Sequence, residues 1–171
     1  VTAPFALVTE ERTADVSPDR RYRYSFVWRW ASGPRALVVG INPSDGDTHE
    51  PDATMRKWRG FCGRLGFGSY EAVNPYALRS PDPSALLSCD LATAIGRLND
   101  AAIAVALDRC DEVIACWGRV PAKALQPRID EVRDVPMKSG KRVRCWGYTA
   151  DRQPRHPLML AYDTPLEDLR P

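Results

Sequence analysis

Four short apolar runs punctuate the middle of the chain: Ala36 to Gly40, Tyr70 to Asn74, Glu112 to Trp117 and Val143 to Tyr148. Runs of this kind fit strands covered on both faces, as in parallel sheets. Between them apolar residues recur every three or four positions, the spacing of one helix face. Asp52 reads as the cap of a helix that buries Met55, Trp58, Phe61, Cys62 and Leu65 and closes at Gly66. Asn99 reads as the cap of a second, carrying Ile103, Ala106, Leu107 and Cys110. A third begins near Pro121 with Ala122 and Leu125. Pro127 has no N–H to donate, which predicts a break there and a restart through Ile129 and Val132.

Ahead of these, Tyr22, Tyr24, Phe26, Trp28 and Trp30 alternate with Arg21, Arg23, Ser25, Val27 and Arg29. Period two predicts a half-buried edge strand with an aromatic face and a basic face. The same interleaving would also suit a nucleic-acid surface. Strands alternating with helices over short connections predict a three-layer α/β/α fold. Its core is a central, mostly parallel four-stranded sheet with helices on both faces, plus the N-terminal edge strand. No repeat, low-complexity tract or linker interrupts the sequence, so residues 1–171 are expected to form a single domain, with 1–20 as an N-terminal arm.

Composition narrows the partners. At 171 residues and 44% hydrophobic content the chain can bury a real core. No stretch approaches the ~20 apolar residues of a membrane span, and Val1 to Ala14 lacks the pattern of a secretory signal, so no membrane partner is expected. The five cysteines are odd in number and form no C-x-x-C pair, which argues against a disulfide framework or a zinc ribbon and for a reducing, cytoplasmic setting. A net charge of +2 is too slight to identify a partner. Arg outnumbers Lys, however, and Arg is the better fork for phosphate. A monomer is expected.

In open α/β sheets ligands bind outside the carboxyl ends of the strands. Those ends carry Asn42-Pro43-Ser44 followed by the acidic loop Asp45, Asp47, Glu50 and Asp52, then Asn74-Pro75-Tyr76 with the loop Arg79 to Ser84. The third ends in Trp117-Gly118-Arg119 and the fourth leads to Arg155-His156-Pro157-Leu158. Three of the four ends thus present Asn or His beside a proline that stiffens the backbone. Taken alone, Asn42 reads equally as a residue bonding its own turn, and Asp45, Asp47 and Glu50 as a solvated Asx-turn set.

In order and spacing, these segments resemble the uracil-DNA glycosylase superfamily over roughly Ala36 to Leu160. Val38 to Ser44 (VVGINPS) is similar to the first motif of the mismatch-specific uracil/thymine branch. Glu71 to Pro83 is similar to the segment in which a strand-end Asn reads the base edge. Val113 to Leu125 resembles the strand–Trp-Gly–helix segment, and His156 to Leu160 (HPLML) the last motif. The whole chain looks closer still to an uncharacterised bacterial and phage family, domain of unknown function 1643. Asn42 stands where the most active glycosylase branch has Asp, and the Ser-Pro-Leu-Ser part of the last motif is absent. The cysteine spacing does not match the iron–sulfur branches, so neither a cluster nor any other cofactor or metal is expected.

The resemblance implies a DNA base glycosylase acting on a uracil-like or modified pyrimidine, in single-stranded DNA or flipped from a duplex. Asn42 would orient the attacking water, and His156 would donate a hydrogen bond to the departing base. The acidic stretch Asp45 to Asp52 has no clear counterpart in the glycosylases; if that loop folds inward, Asp45 or Asp47 would supply the missing carboxylate. Asn74 would read the base edge, with Ser44, Phe67 and Tyr76 around the base. Ser80, Ser84, Arg152 and Arg155 would meet the strand, and Leu158 or Met159 would act as the wedge. Two rival functions keep the same pocket: a catalytically silent module binding a nucleobase or single strand, and an enzyme acting on free modified nucleotides with Mg²⁺ held in the acidic loop.

Overall fold

The computed structural model describes residues 7–170. Seven strands form one sheet in the order β1-β2-β4-β3-β5-β6-β7. They are β1 (Leu7–Val16), β2 (Arg23–Ala31), β3 (Arg35–Val39), β4 (Ser69–Val73), β5 (Glu112–Ala115), β6 (Val143–Cys145) and β7 (Glu167–Asp168). Four helices interrupt them: α1 (Ala53–Arg64), α2 (Leu91–Ile95), α3 (Asn99–Asp108) and α4 (Gln126–Lys138).

The four apolar runs are the parallel heart of this sheet, with β3 between β4 and β5 and β6 beyond β5. Side chains alternate along them and divide the core in two. Leu37, Val39, Val73 and Val113 pack against Ile103 and Leu107 of α3 and Ile129 and Val132 of α4. Ala36, Val38, Tyr70 and Ile114 pack on the other face against Met55, Trp58 and Phe61 of α1. Glu71 is the exception in the run: it is fully buried on the α3 side and held by Arg109 (Nε to Oε2, 2.8 Å) and by Arg35 at 3.6 Å.

The sheet is wider than the expected four strands. Much of the expected arm is β1, which pairs antiparallel with β2, so β2 is interior and not an edge. At the far side β7 adds two antiparallel residues to β6. The register between β1 and β2 shifts between Asp15 and Val16, leaving Tyr24 as the extra residue of a bulge. Strict alternation breaks there. Tyr22 and Tyr24 stack on each other beside Gly96, whereas Phe26 and Trp28 join the α1 side. Arg23 turns toward Phe26, 5.7 Å from its ring, and is buried instead of lying on a solvated basic face.

Helix boundaries carry further corrections. Asp52 does cap α1, its Oδ1 accepting from Met55 N–H at 2.8 Å, but Leu65 lies past the last turn and is exposed. Asn99 is the first residue of α3, not its cap. It is buried, and its amide donates to the carbonyls of Asn74 (2.9 Å) and Pro75 (3.0 Å). The helix expected from Pro121 is only a short 3-10 turn over Lys123–Leu125, and a new start follows it: α4 begins at Gln126 with Pro127 in its first turn, where no N–H is needed. β6 stops at Cys145, three residues before the expected end.

Candidate functional site

Above the carboxyl edge of the sheet, on the α1 side, the loops after β3, β4 and β5 meet the turn at His156. They enclose a pocket of about 330 Å³. That is the low end of the ~300–1,000 Å³ common for small-molecule sites. Asn42, Ser44, Asp52, Ser80 and His156 all line it, although they are far apart in sequence.

Asn42 is tied down at one end only. Its Nδ2 donates to the carbonyl of Ser80 at 2.9 Å, with longer contacts to Pro43 (3.2 Å) and Leu78 (3.5 Å). Ser80 N–H returns a bond to the Pro43 carbonyl at 2.8 Å, clamping the two loops together. With its N–H groups committed to carbonyls, Asn42 presents Oδ1, an acceptor suited to a water.

The carboxylate of the pocket is Asp52, not Asp45. Asp45 is exposed and does not line the pocket; its backbone carbonyl receives Arg79 Nη2 at 3.0 Å. Asp52 caps α1 through Oδ1 and accepts the Ser44 hydroxyl through Oδ2. The remaining acidic side chains are not gathered on one point. Asp47 Oδ1 accepts from His49 N–H (2.8 Å) and Glu50 N–H (3.0 Å), the Asx-turn reading of this loop, and these bonds hold its carboxyl below the usual range. Among the described residues no group of three acidic, His or Cys side chains is arranged to hold a metal ion.

The ring of His156 is half-buried at the pocket wall, and its Nδ1 faces the Leu158 N–H at 3.4 Å. Burial pushes the imidazole below its ordinary value near 6.5, with the nearby charge of Asp52 opposing the change. Gly118 makes room for it. Its φ is +73°, and a Cβ there would lie 2.8 Å from the His156 Cβ, so a larger residue would displace the histidine.

The aromatic walls differ from those expected. Phe67 precedes β4 and packs in the α1-side core at the opposite end of the strand, so that the five residues of β4, about 16 Å of extended chain, lie between it and Asn74. Tyr76 is fully buried on the α3–α4 side, where its hydroxyl donates to the Leu125 carbonyl at 2.8 Å. Trp58 and Trp117 take their place. The Trp58 indole N–H meets Cys116 Sγ at 3.2 Å, and burial pushes that thiol up to about 12, so it remains protonated. Trp117 donates to Gln153 Oε1 at 2.7 Å.

Asn74 lies beneath the pocket and not in its lining. It is 3% exposed, and its Oδ1 sits 2.7 Å from where a Cβ of Gly40 would be, beside the Trp58 ring. The glycine at position 40 is therefore a thin partition between Asn74 and the pocket.

Around the mouth, Ser80 lines the pocket, but the Ser84 hydroxyl turns away to Asp82 Oδ2 at 2.6 Å. Arg152 and Arg155 are exposed, and among the described residues neither pairs with a carboxylate. Arg142 and Arg144, in contrast, are matched by Asp168 and Glu112. Leu158 is exposed, and Met159 beside it is 90% exposed. Arg23 and Arg119 also reach the pocket. No periodic or motif signal marked Arg23, since only the bulge turns it inward; Asp52 was legible as a cap, which hides a second role.

A family profile described as a protein of unknown function (DUF1643) matches residues 21–158. No curated protein and no solved structure matches the chain.

Proposed function

The chain belongs to the DUF1643 family of proteins of unknown function, and from that premise we propose that it hydrolyses the N-glycosidic bond of a uracil-like or modified pyrimidine in DNA. One observation carries the reading: an amide acceptor, a carboxylate and a neutral imidazole face one nucleobase-sized pocket walled by an indole. Cleavage builds positive charge on the sugar and negative charge on the leaving base. Asp52 supplies negative charge for the sugar and, with Asn42 Oδ1, a seat for the attacking water. His156 meets the base oxygen as charge develops there, and Trp58 stacks on the base.

The likeness to uracil-DNA glycosylases draws support from the parallel order β4-β3-β5-β6 and from the Asn42 and His156 turns at its carboxyl edge. Other doubly wound sheets share that order, so the site residues bear the argument. The exposed Leu158–Met159 pair beside His156 suits a wedge that holds a strand open after base flipping. A silent base-binding module is the second reading, favoured by the loss of both Asn42 N–H groups to loop carbonyls.

The test is abasic-site formation in end-labelled oligonucleotides bearing uracil and a panel of modified pyrimidines. Alkali-labile breaks with the native protein, lost in Asp52→Asn, support hydrolysis. Tight binding with no breaks across the panel leaves the binding module and rejects the hydrolase.

A further inference from the structure

Arg23 is buried, 4% exposed, yet among the described residues its guanidinium forms no ion pair with a carboxylate; it donates to the Gly46 carbonyl. Burying a guanidinium without a counter-charge is expensive. The cost is visible in its proton affinity, which burial lowers to about 10, with Asp52 opposing the change and Arg79 adding to it. Arg79 is half-buried and likewise forms no ion pair with a carboxylate among the described residues. Its Nη2 and Nη1 reach only the carbonyls of Asp45 (3.0 Å) and Arg20 (3.4 Å), and its Nε is buried with no partner.

These two side chains meet at a second cavity of about 170 Å³, next to the base pocket and sharing Arg23 with it as a common wall. Arg20 and His49 complete the basic lining. One carboxylate, Asp47, also faces it, 4.0 Å from Arg20 and with one oxygen already taken by turn N–H groups. Three guanidiniums against one carboxylate leave a concentrated positive charge. Two guanidiniums, one buried and one half-buried, that satisfy only carbonyls keep planar N–H forks free for an anion, and such forks match phosphate oxygens in geometry and charge.

We propose that this cavity is a phosphate subsite, in which Arg23 and Arg79 take the phosphate joined to the sugar whose base enters the Trp58 pocket. The proposal rests on the base-pocket reading for the identity of the neighbouring group, and on the arginine pair alone for the anion. A phosphodiester of a strand and the terminal phosphate of a free nucleotide offer the same chemistry, and the bulge at Tyr24 is what turns Arg23 from the sheet face toward it.

Titration calorimetry with four probes tests this: inorganic phosphate, deoxyuridine, deoxyuridine 5′-monophosphate, and a short oligonucleotide with one internal deoxyuridine. The monophosphate, the oligonucleotide or both should bind at least about tenfold more tightly than deoxyuridine, and Arg79→Gln should erase that gap. Arg23→Gln should do the same, and Arg79→Gln, at a less buried position, keeps the test open should that variant fail to fold. A gain for the monophosphate alone assigns the subsite to free nucleotides; a gain for the oligonucleotide alone assigns it to a strand. Equal binding of all three uridine ligands, or a gap that survives Arg79→Gln, overturns the proposal. Should the base reading fail, deoxyuridine gives no heat while inorganic phosphate still binds in an Arg79-dependent way, so the two failures look different.

Discussion

The Nδ1 of His156 faces a backbone N–H, and that contact decides which nitrogen carries the proton. With Nδ1 as acceptor, the neutral ring is protonated at Nε2 and is a donor. Burial favours this neutral form. A histidine whose folded pKa is depressed contributes its full stability above the ordinary value near 6.5, and loses it as pH falls toward the lowered folded value. Thermal stability should therefore begin to decline below about 6.5, whereas base release should hold level from pH 7 upward and decline only at lower pH, where the folded-state imidazole itself takes up a proton. His156→Ala should slow single-turnover base release by about a hundredfold, the ~3 kcal/mol of an oxyanion-type donor, while DNA affinity stays nearly intact. It should also remove the downward step in the pH–stability curve. An unchanged rate in His156→Ala would take the imidazole out of the chemistry.

At the scale of elements, α1 and the site are coupled through Asp52, which caps the helix and lines the pocket with the same carboxylate. Two substitutions separate these roles. Asn caps a helix about as well as Asp, so Asp52→Asn should leave the melting temperature near the native value and abolish most activity. Asp52→Ala should lose activity and also about 1 kcal/mol of stability, read by denaturant unfolding. Equal destabilisation by both would mean that the charge, not the cap, holds the helix. The cap was legible because Asp52 stands just before an apolar stripe of helical period; the pocket role was not, since nothing in a single sequence says where a cap points. The same limit hid Arg23, because the period-two pattern of β2 is read straight through a bulge that reverses it. The four buried strands were legible because both their faces are apolar, even with Glu71 inside one of them. β1 escaped notice because its alternating charged and small residues carry no apolar stripe, and β7 because it is two residues long. Phe67 and Tyr76 were assigned to the base as aromatic residues close in sequence to a strand end. Position along β4 decided against Phe67 and sheet face against Tyr76, and neither shows in composition.

Over the whole molecule, the parallel order of β4, β3, β5 and β6 puts four strand ends on one edge, which is why Asn42, Asp52 and His156 can meet. The antiparallel additions β1, β2 and β7 widen the sheet without adding to that edge, except where the β2 bulge supplies Arg23. None of the helices among the described residues is long and apolar enough to cross a membrane. Charge follows the same division: arginines near β6 are paired off, while those at the pocket and its rim are not. The central claim is that a nucleobase occupies the space between Trp58, Asn42 and His156, and a crystal structure with soaked uracil tests it most directly. The account predicts the pyrimidine stacked on Trp58, with a carbonyl oxygen within hydrogen-bonding distance of His156 Nε2. Uracil bound instead in the wider groove between Gln126 and Arg152, or His156 turned away from the base, would contradict it.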